Sequence, residues 1–553
     1  MSTLTLESTA PARRETSGRS VLDLLEDAAS GHGTVRFVAS DTEATSISTL
    51  WAQSGDAARW ITKTVGAGST IAALLSNTRP CAAFLIGAWR VGCTVASLPL
   101  PGRGMSIESY MEQLGRFCAA AGAETLMVDA AHAGLIPSPP VPLHTYDEVL
   151  AGGPTCPFDG GGALVQFTSG SLGTPKGIFL SLDAVGANVE AIISTIEPDV
   201  GDSSCSWLPL SHDMGLIGLF LTPLAAGAPR FGHHDLVLMT PEKFVANPNS
   251  WLRTCSDFGS TFTVVPNFAL ELAVRTAKRA GSLDLSRIRV CIVGSESVRA
   301  DTLKRFTDTF APHGFQPRAF CPAYGMAEAT VAVTAVRPQQ HWRAISLDGA
   351  SFDGASLNGG TIGGPDPHTL VSTGPPIDGV DVRVPGPEGA VGQIEFRSPS
   401  LLDRYIGAEL RLTDDGYFRT SDLGLIDGGE LFVVGRSDEV IIVAGRNLYP
   451  ADIEAALPEG MVRAGCVAAV EAPGGGLAIV AETRTSRMEP TELDRVCRSI
   501  RGAVAVATGV GAATVAFVHR GALLKTPSGK LRRLAIRTAL ADGESLLWRK
   551  DFA

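Results

Sequence analysis

Gln166-Phe167-Thr168-Ser169-Gly170-Ser171-Leu172-Gly173-Thr174-Pro175-Lys176-Gly177-Ile178 packs three glycines, four hydroxyl side chains and one lysine into thirteen residues. Apolar residues lead in (Ala163-Leu164-Val165) and lead out (Ile178-Phe179-Leu180), so the stretch reads as strand, tight loop, strand. Glycines let backbone N–H groups turn inward on an anion, and hydroxyls and a lysine add donors and charge. Such a loop suits a phosphate. A Walker loop is excluded, because Pro175 stands where a glycine must precede the lysine and Gly177 where Ser or Thr must follow it. A dinucleotide fingerprint is excluded too: the glycine spacing differs and no helix opens from the loop. Composition alone leaves a plain surface turn as the commoner reading of a Gly/Ser segment.

The rest of the chain narrows the class. At 553 residues it can hold a large domain and at least one smaller one, and 45% apolar against 19% charged residues indicates a globular protein with a big core. A net charge of −11 argues against general nucleic-acid binding. The ten cysteines are scattered, with Cys81 and Cys93 the nearest pair, and no CxxC or HExxH spacing suggests a metal cage. Free thiols in a reducing cytoplasm are the expectation. Residues 1–20 are polar, carry Arg13, Arg14 and Arg19, lack the apolar core of a signal peptide and read as a disordered tail. The uncharged stretches 215–228 and 502–518 are too short or too rich in Gly, Ala and Thr to span a bilayer; buried strands and turns are expected there, and no integral membrane segment.

From Val21 onward short β-rich runs alternate with apolar helices. Strands are expected over 70–75, 94–98, 125–128, 261–265 and 289–293, and helices over 80–90, 268–279 and 300–310. This alternation predicts an α/β fold with doubly wound, mostly parallel sheets. Between 339 and 376 Gly, Ser, Asp and Pro dominate and periodicity vanishes, which reads as a long loop or insertion. Strands over 393–396 and 430–434 suggest a small β-barrel-like unit. After Asp438 the pattern restarts, with strands over 440–443, 466–470, 477–482 and 513–519 and helices over 450–457 and 489–503. The reading is a large domain over 21–434, a hinge at 435–438 and a smaller α+β domain over 439–553.

Further strings fall in order behind the first. They are Tyr324-Gly325-Met326-Ala327-Glu328, Arg419-Thr420-Ser421-Asp422, Gly435-Arg436-Ser437-Asp438, and Lys525-Thr526-Pro527-Ser528-Gly529-Lys530. Each alone has a bland reading: a helix-start carboxylate, a capped turn, a linker, a solvated lysine. Together they resemble the motifs of AMP-forming adenylating enzymes, the superfamily of acyl-CoA synthetases, peptide-synthetase adenylation domains and luciferases. The resemblance implies ATP and Mg²⁺. It places Thr168, Ser169, Gly170, Ser171, Gly173 and Lys176 on the phosphates, and Thr168 and Glu328 on the metal. Gly294, Ser295, Glu296, Tyr324, Gly325, Met326 and Arg436 would take the nucleotide, and Asp422 the ribose hydroxyls. Asp438 would be the hinge and Lys530 the catalytic lysine. Leu172 and Leu524 depart from the superfamily pattern.

Ser206-Trp207-Leu208-Pro209-Leu210-Ser211-His212-Asp213-Met214-Gly215-Leu216-Ile217-Gly218 is similar to a string of the fatty-acyl-AMP ligases, as are Pro266-Asn267-Phe268-Ala269 and Asn447-Leu448-Tyr449-Pro450. An insertion such as 339–370 marks that family against its acyl-CoA synthetase relatives. Ser211, Leu182 and Ser295 depart from its pattern. By this resemblance His212 joins Glu328 and Lys530 in the catalytic set. Trp207, His212, Met214, Gly215, Asn267 and Phe268 would line an acyl pocket. The implied reaction activates a fatty acid to its adenylate and hands the acyl group to an acyl carrier protein, or to a carrier domain of a polyketide or peptide synthase. Arg532 and Arg533 are candidates for docking that carrier. An acyl-CoA synthetase and a non-catalytic nucleotide-binding scaffold are the alternatives.

Overall fold

The computed structural model describes residues 18–38, 43–101, 106–150, 161–168, 176–231, 234–346, 369–387, 389–443, 446–457, 461–463, 465–483, 488–525, 531–543 and 546–552. The architecture is two-domain α/β. One sheet has seven strands in the order Arg404–Ile406, Lys176–Ser181, Ala163–Thr168, Thr94–Ser97, Thr70–Ala73, Thr125–Val128, Leu143–Thr145. Its interior pairings are parallel, and the antiparallel ones lie where Lys176–Ser181 meets its two neighbours. A second sheet has eight strands, from Thr334–Ala335 through Phe320–Tyr324, Val290–Gly294, Phe262–Pro266, Asp202–Ser206, His234–Leu238 and Thr34–Phe37 to Thr45–Ser46. Strands such as Thr125–Val128 and Phe262–Pro266 are buried at every position. That explains why they read as unbroken apolar runs rather than as alternation: helices cover both faces of a parallel sheet.

Local chemistry sets the helix ends. Ser20 caps Val21–Ala29 in a capping box with Asp23. The tail expected over 1–20 therefore ends sooner, and residues 1–17 lie outside the described ones. Pro80 sits in the first turn of Arg79–Arg90, where its missing N–H costs nothing. Gly122, at φ 66°, ends Ile107–Ala121. Helix Ala300–Phe310 and strand Thr125–Val128 occupy the residues expected of them.

Residues 215–228 contradict the expectation of strands and turns. They form a π-helical run, Met214–Leu221, continued by Thr222–Ala226. The run is apolar on nearly every side because it threads between the two largest cores, and so no periodicity distinguishes helix from strand. Residues 502–518 are likewise half helical, since Pro490–Thr508 runs on before strand Thr514–Val518.

The stretch 339–370, expected as a loop or insertion, departs from that at both ends: strand Ala344–Ser346 lies within it and pairs antiparallel with Thr369–Val371, while residues 347–368 lie outside the described ones. A four-stranded antiparallel sheet follows, Asp381–Arg383, Gly392–Arg397, Phe418–Asp427 and Glu430–Arg436. The C-terminal sheet orders Val467–Glu471, Leu477–Glu482, Thr514–Val518, Leu546–Asp551. Its alternate residues feed two cores, Ala469, Ile479 and Phe517 against helix Pro490–Thr508, and Ala468, Val480 and Val518 against helix Arg533–Asp542. Among the described residues no helix is long and apolar enough to cross a membrane.

Candidate active site

A cleft of about 3800 Å³ runs from the C-terminal ends of the sheet strands to the C-terminal domain. Ligands of open α/β sheets bind at such strand ends. Strands Ala163–Thr168 and Lys176–Ser181 pair in the register Thr168↔Lys176, and Gln166, Phe167 and Lys176 line the cleft. Ser169, Gly170, Ser171, Leu172 and Gly173 lie outside the described residues, and of Thr168 only the backbone is described. The Lys176 ammonium sits 3.6 Å from the centroid of the Tyr405 ring.

Strand Phe320–Tyr324 ends at the next motif. Gly325 is required there, because a Cβ would lie 1.7 Å from the Val331 carbonyl oxygen. Tyr324 Oη donates to Asp422 Oδ2 at 2.7 Å, and Arg436 Nη1 lies 3.6 Å from Asp422 Oδ1. Burial, with Asp422 beside it, pushes the Tyr324 phenol well above its usual range. Glu328 Oε1 accepts from Tyr405 Oη at 3.0 Å. Two residues on, Thr330 has φ 73°, a sparsely populated conformation for a β-branched residue. Its hydroxyl donates to the Ser400 carbonyl at 2.7 Å.

At the end of strand Val290–Gly294, Ser295 adopts φ 71°. Glu296 Oε1 then accepts the Phe268 N–H at 2.6 Å, at the start of helix Asn267–Thr276. Asn267 Oδ1 accepts the Arg299 N–H at 3.1 Å, so the Gly-Ser-Glu and Asn-Phe segments are tied together.

The apolar wall comes from Trp207, stacked face to face on Phe244 at 3.6 Å and edge-on to Phe268 at 6.3 Å. His212 Nδ1 lies 2.5 Å from Asp213 Oδ1, and Asp213 accepts the Met214 N–H at 2.7 Å. Gly215 lets the turn close on itself: a Cβ would lie 2.3 Å from the Pro209 carbonyl oxygen. Asn77 holds this segment from the other sheet. Its amide donates to the carbonyls of Leu208 at 3.0 Å and Met239 at 2.7 Å, and its oxygen accepts the Leu210 N–H at 3.1 Å.

At the expected hinge, Arg436 and Asp438 form a two-pronged pair at 2.9 Å and 2.9 Å. Lys530 lies outside the described residues, bracketed by a bridge between Lys525 and Leu531. Arg533 departs from its expected part in carrier docking. Its guanidinium is largely buried and pairs with Glu439 at 2.7 Å and Glu454 at 2.9 Å, an internal brace rather than a docking group. Burial opposes its charge, but the two carboxylates outweigh that and hold it protonated.

Asn77, Tyr405 and Phe244 went unnoticed in the sequence. Asn77 offered a signal, a polar residue just beyond strand Thr70–Ala73; Tyr405 and Phe244 sit in unremarkable contexts. Among the described residues no group of three or more His, Cys, Asp or Glu side chains could form a metal cage. A lone carboxylate such as Glu328 fits Mg²⁺ bound mainly by phosphates and water.

Comparison with known proteins follows the same outline. The family model described as AMP-binding enzyme matches residues 25–406. A long-chain-fatty-acid–AMP ligase of Mycobacterium marinum is 35% identical over 411 residues, spanning 68% of this chain and 69% of that protein. A medium-chain-fatty-acid–[acyl-carrier-protein] ligase of Moorena producens is 34% identical over 417 residues, 70% and 69% of the two chains. A structure from studies of fatty acyl-adenylate ligases of E. coli and L. pneumophila superposes with TM-score 0.84 at 23% identity, covering 96% of this chain and 99% of that one. An L. pneumophila fatty acyl-adenylate ligase in complex with acyl adenylate and pyrophosphate superposes with TM-score 0.69 at 25% identity, covering 98% and 99%.

Proposed function

Since this chain belongs to the AMP-binding enzyme family, we propose that it activates a fatty acid with Mg·ATP to an acyl-adenylate and passes the acyl group to the phosphopantetheine thiol of a carrier protein or carrier domain. The observation that carries this reading is one cleft with two chemistries. The Tyr324–Asp422–Arg436 network and Glu328 line one part, and Trp207, Phe244 and Phe268 line another.

In the first step a carboxylate oxygen attacks the α-phosphorus, and the bond from that phosphorus to the bridging oxygen breaks to release pyrophosphate. The acid is already ionised near pH 7, so alignment and charge stabilisation must do the catalysis. Lys530 would lie between carboxylate and α-phosphate, and His212 beside the acyl carboxylate. Asp422 would take the ribose hydroxyls, with Tyr324 and the Gly325–Met326 backbone against the adenine. Thr168 and Glu328 would hold Mg²⁺, which when bound offsets phosphate charge. The second step needs the C-terminal domain to turn about Asp438, which would break its pair with Arg436. Free, buried thiols at the nine described cysteines suit the cytoplasm as its compartment.

Single-turnover mass spectrometry with ATP, Mg²⁺ and a ladder of fatty acids tests the reading, with coenzyme A or a holo carrier protein added separately. Acyl-adenylate consumed only by the carrier is the expected result. Rapid acyl-CoA formation would reassign the protein to the acyl-CoA synthetases. Lys530→Ala should remove adenylation and leave the fold intact; normal pyrophosphate release by this variant would sink the assignment.

A further inference from the structure

We infer that Tyr405 is a positioning residue that fixes the Glu328 carboxylate for its cation and registers it against the phosphate loop. The inference rests on the reading of Glu328 as the cation-holding carboxylate. Tyr405 belongs to a short strand, Arg404–Ile406, that returns from the four-stranded sheet to the edge of the seven-stranded one. There it pairs with the strand leaving the phosphate loop, in the register Tyr405↔Ile178 and Ile406↔Gly177. From that position one side chain reaches both partners. Its hydroxyl donates to Glu328 Oε1 at 3.0 Å, and its ring face lies 3.6 Å from the Lys176 ammonium. Oε2 of Glu328 has no hydrogen-bond partner among the described residues.

The same segment holds the Glu328 main chain. Leu402 N–H donates to the Glu328 carbonyl at 2.8 Å, and Ser400 accepts from the hydroxyl of the strained Thr330 at 2.7 Å. Asn188 anchors the segment in turn, donating to Ser400 Oγ at 3.0 Å. Both the backbone and the carboxylate of Glu328 therefore take their position from residues 400–405. A hard cation needs its carboxylate preoriented, and loss of an outer hydrogen bond to a metal ligand typically weakens metal binding by ~10-fold or more.

The test compares Tyr405→Phe, which keeps the ring under Lys176, with Glu328→Gln. Mn²⁺ binding is read by electron paramagnetic resonance in the presence of a non-hydrolysable ATP analogue. The Mg²⁺ concentration for half-maximal adenylation and the KM for the fatty acid are read in parallel. For Tyr405→Phe we expect Mn²⁺ binding weakened by ~10-fold, with fatty-acid KM and melting temperature unchanged. Glu328→Gln should weaken Mn²⁺ more. A shift with Glu328→Gln and none with Tyr405→Phe would overturn the role of Tyr405 alone. No shift with Glu328→Gln would overturn the assignment of the carboxylate itself. Equal loss of fatty-acid and cation affinity in Tyr405→Phe would show a merely structural residue.

Discussion

The polar and apolar parts of the cleft are built on different principles. On the polar side single side-chain bonds join distant segments: Tyr324 to Asp422 across 98 residues and Tyr405 to Glu328 across 77. Tyr324, Glu328 and Asp422 are half-buried along the cleft and can exchange partners with a ligand, while Tyr405 is buried beside them. On the apolar side the wall is held from behind. Trp207 is 5% and Phe244 1% exposed, both belong to the core that contains Trp251 and Leu252, and Asn77 pins the backbone beside them. Changes on the polar side should therefore alter ligand affinity with little loss of stability, and changes on the apolar side should do both.

Phe244→Ala strikes that contrast hardest. It removes a buried ring stacked on Trp207 and should cost about 4 kcal/mol of unfolding free energy, read by urea denaturation. It should also shift preference toward longer or bulkier acids; unchanged stability would mean the stack is not part of the core. Asn77→Ala leaves the two carbonyls and the amide it satisfies without partners and should cost about 3 kcal/mol. If it alters only ATP affinity, Asn77 does not hold the apolar wall in place. Asp422→Asn keeps the shape and an acceptor for Tyr324 but loses the charge. We expect kcat/KM for ATP to fall about 10²-fold, with the melting temperature nearly unchanged.

The smallest effect is expected at Asp202, which does not line the cleft and opens the strand that leads to Trp207. Burial raises its pKa, but Arg289, the Asp199 N–H and the Thr261 hydroxyl outweigh it and hold the carboxyl below its usual range. A carboxylate depressed in the fold stabilises above its unfolded pKa, and that stability is lost as pH falls through the lower folded value. Wild-type stability should therefore drop below about pH 4, by at most ~1.4 kcal/mol per pH unit from this group. Asp202→Asn should flatten that limb in acid titrations followed by circular dichroism; an unchanged limb would assign the acid sensitivity elsewhere.

Much of the fold was legible locally. Strand Thr125–Val128 and helix Ala300–Phe310 follow from local composition and apolar pattern. The register Thr168↔Lys176 agrees with the two strands read on either side of the glycine-rich stretch. Residues 215–228 were misread because apolarity all round carries no period, and only their position between two cores selects a helix. Arg533 looked like a docking cation because a sequence shows charge but not the Glu439 and Glu454 that bury it.

By itself the sequence determined the residue types, their order and the alternation of elements, because propensity, capping and motif spacing act over a few neighbours. Tertiary structure alone decided which groups meet. Asn77 reaches Leu208 across 131 residues and Met239 across 162, and Tyr405 finds Glu328 and Lys176 through sheet register. Such contacts arise only when separate strands are laid side by side, so no local pattern can carry them.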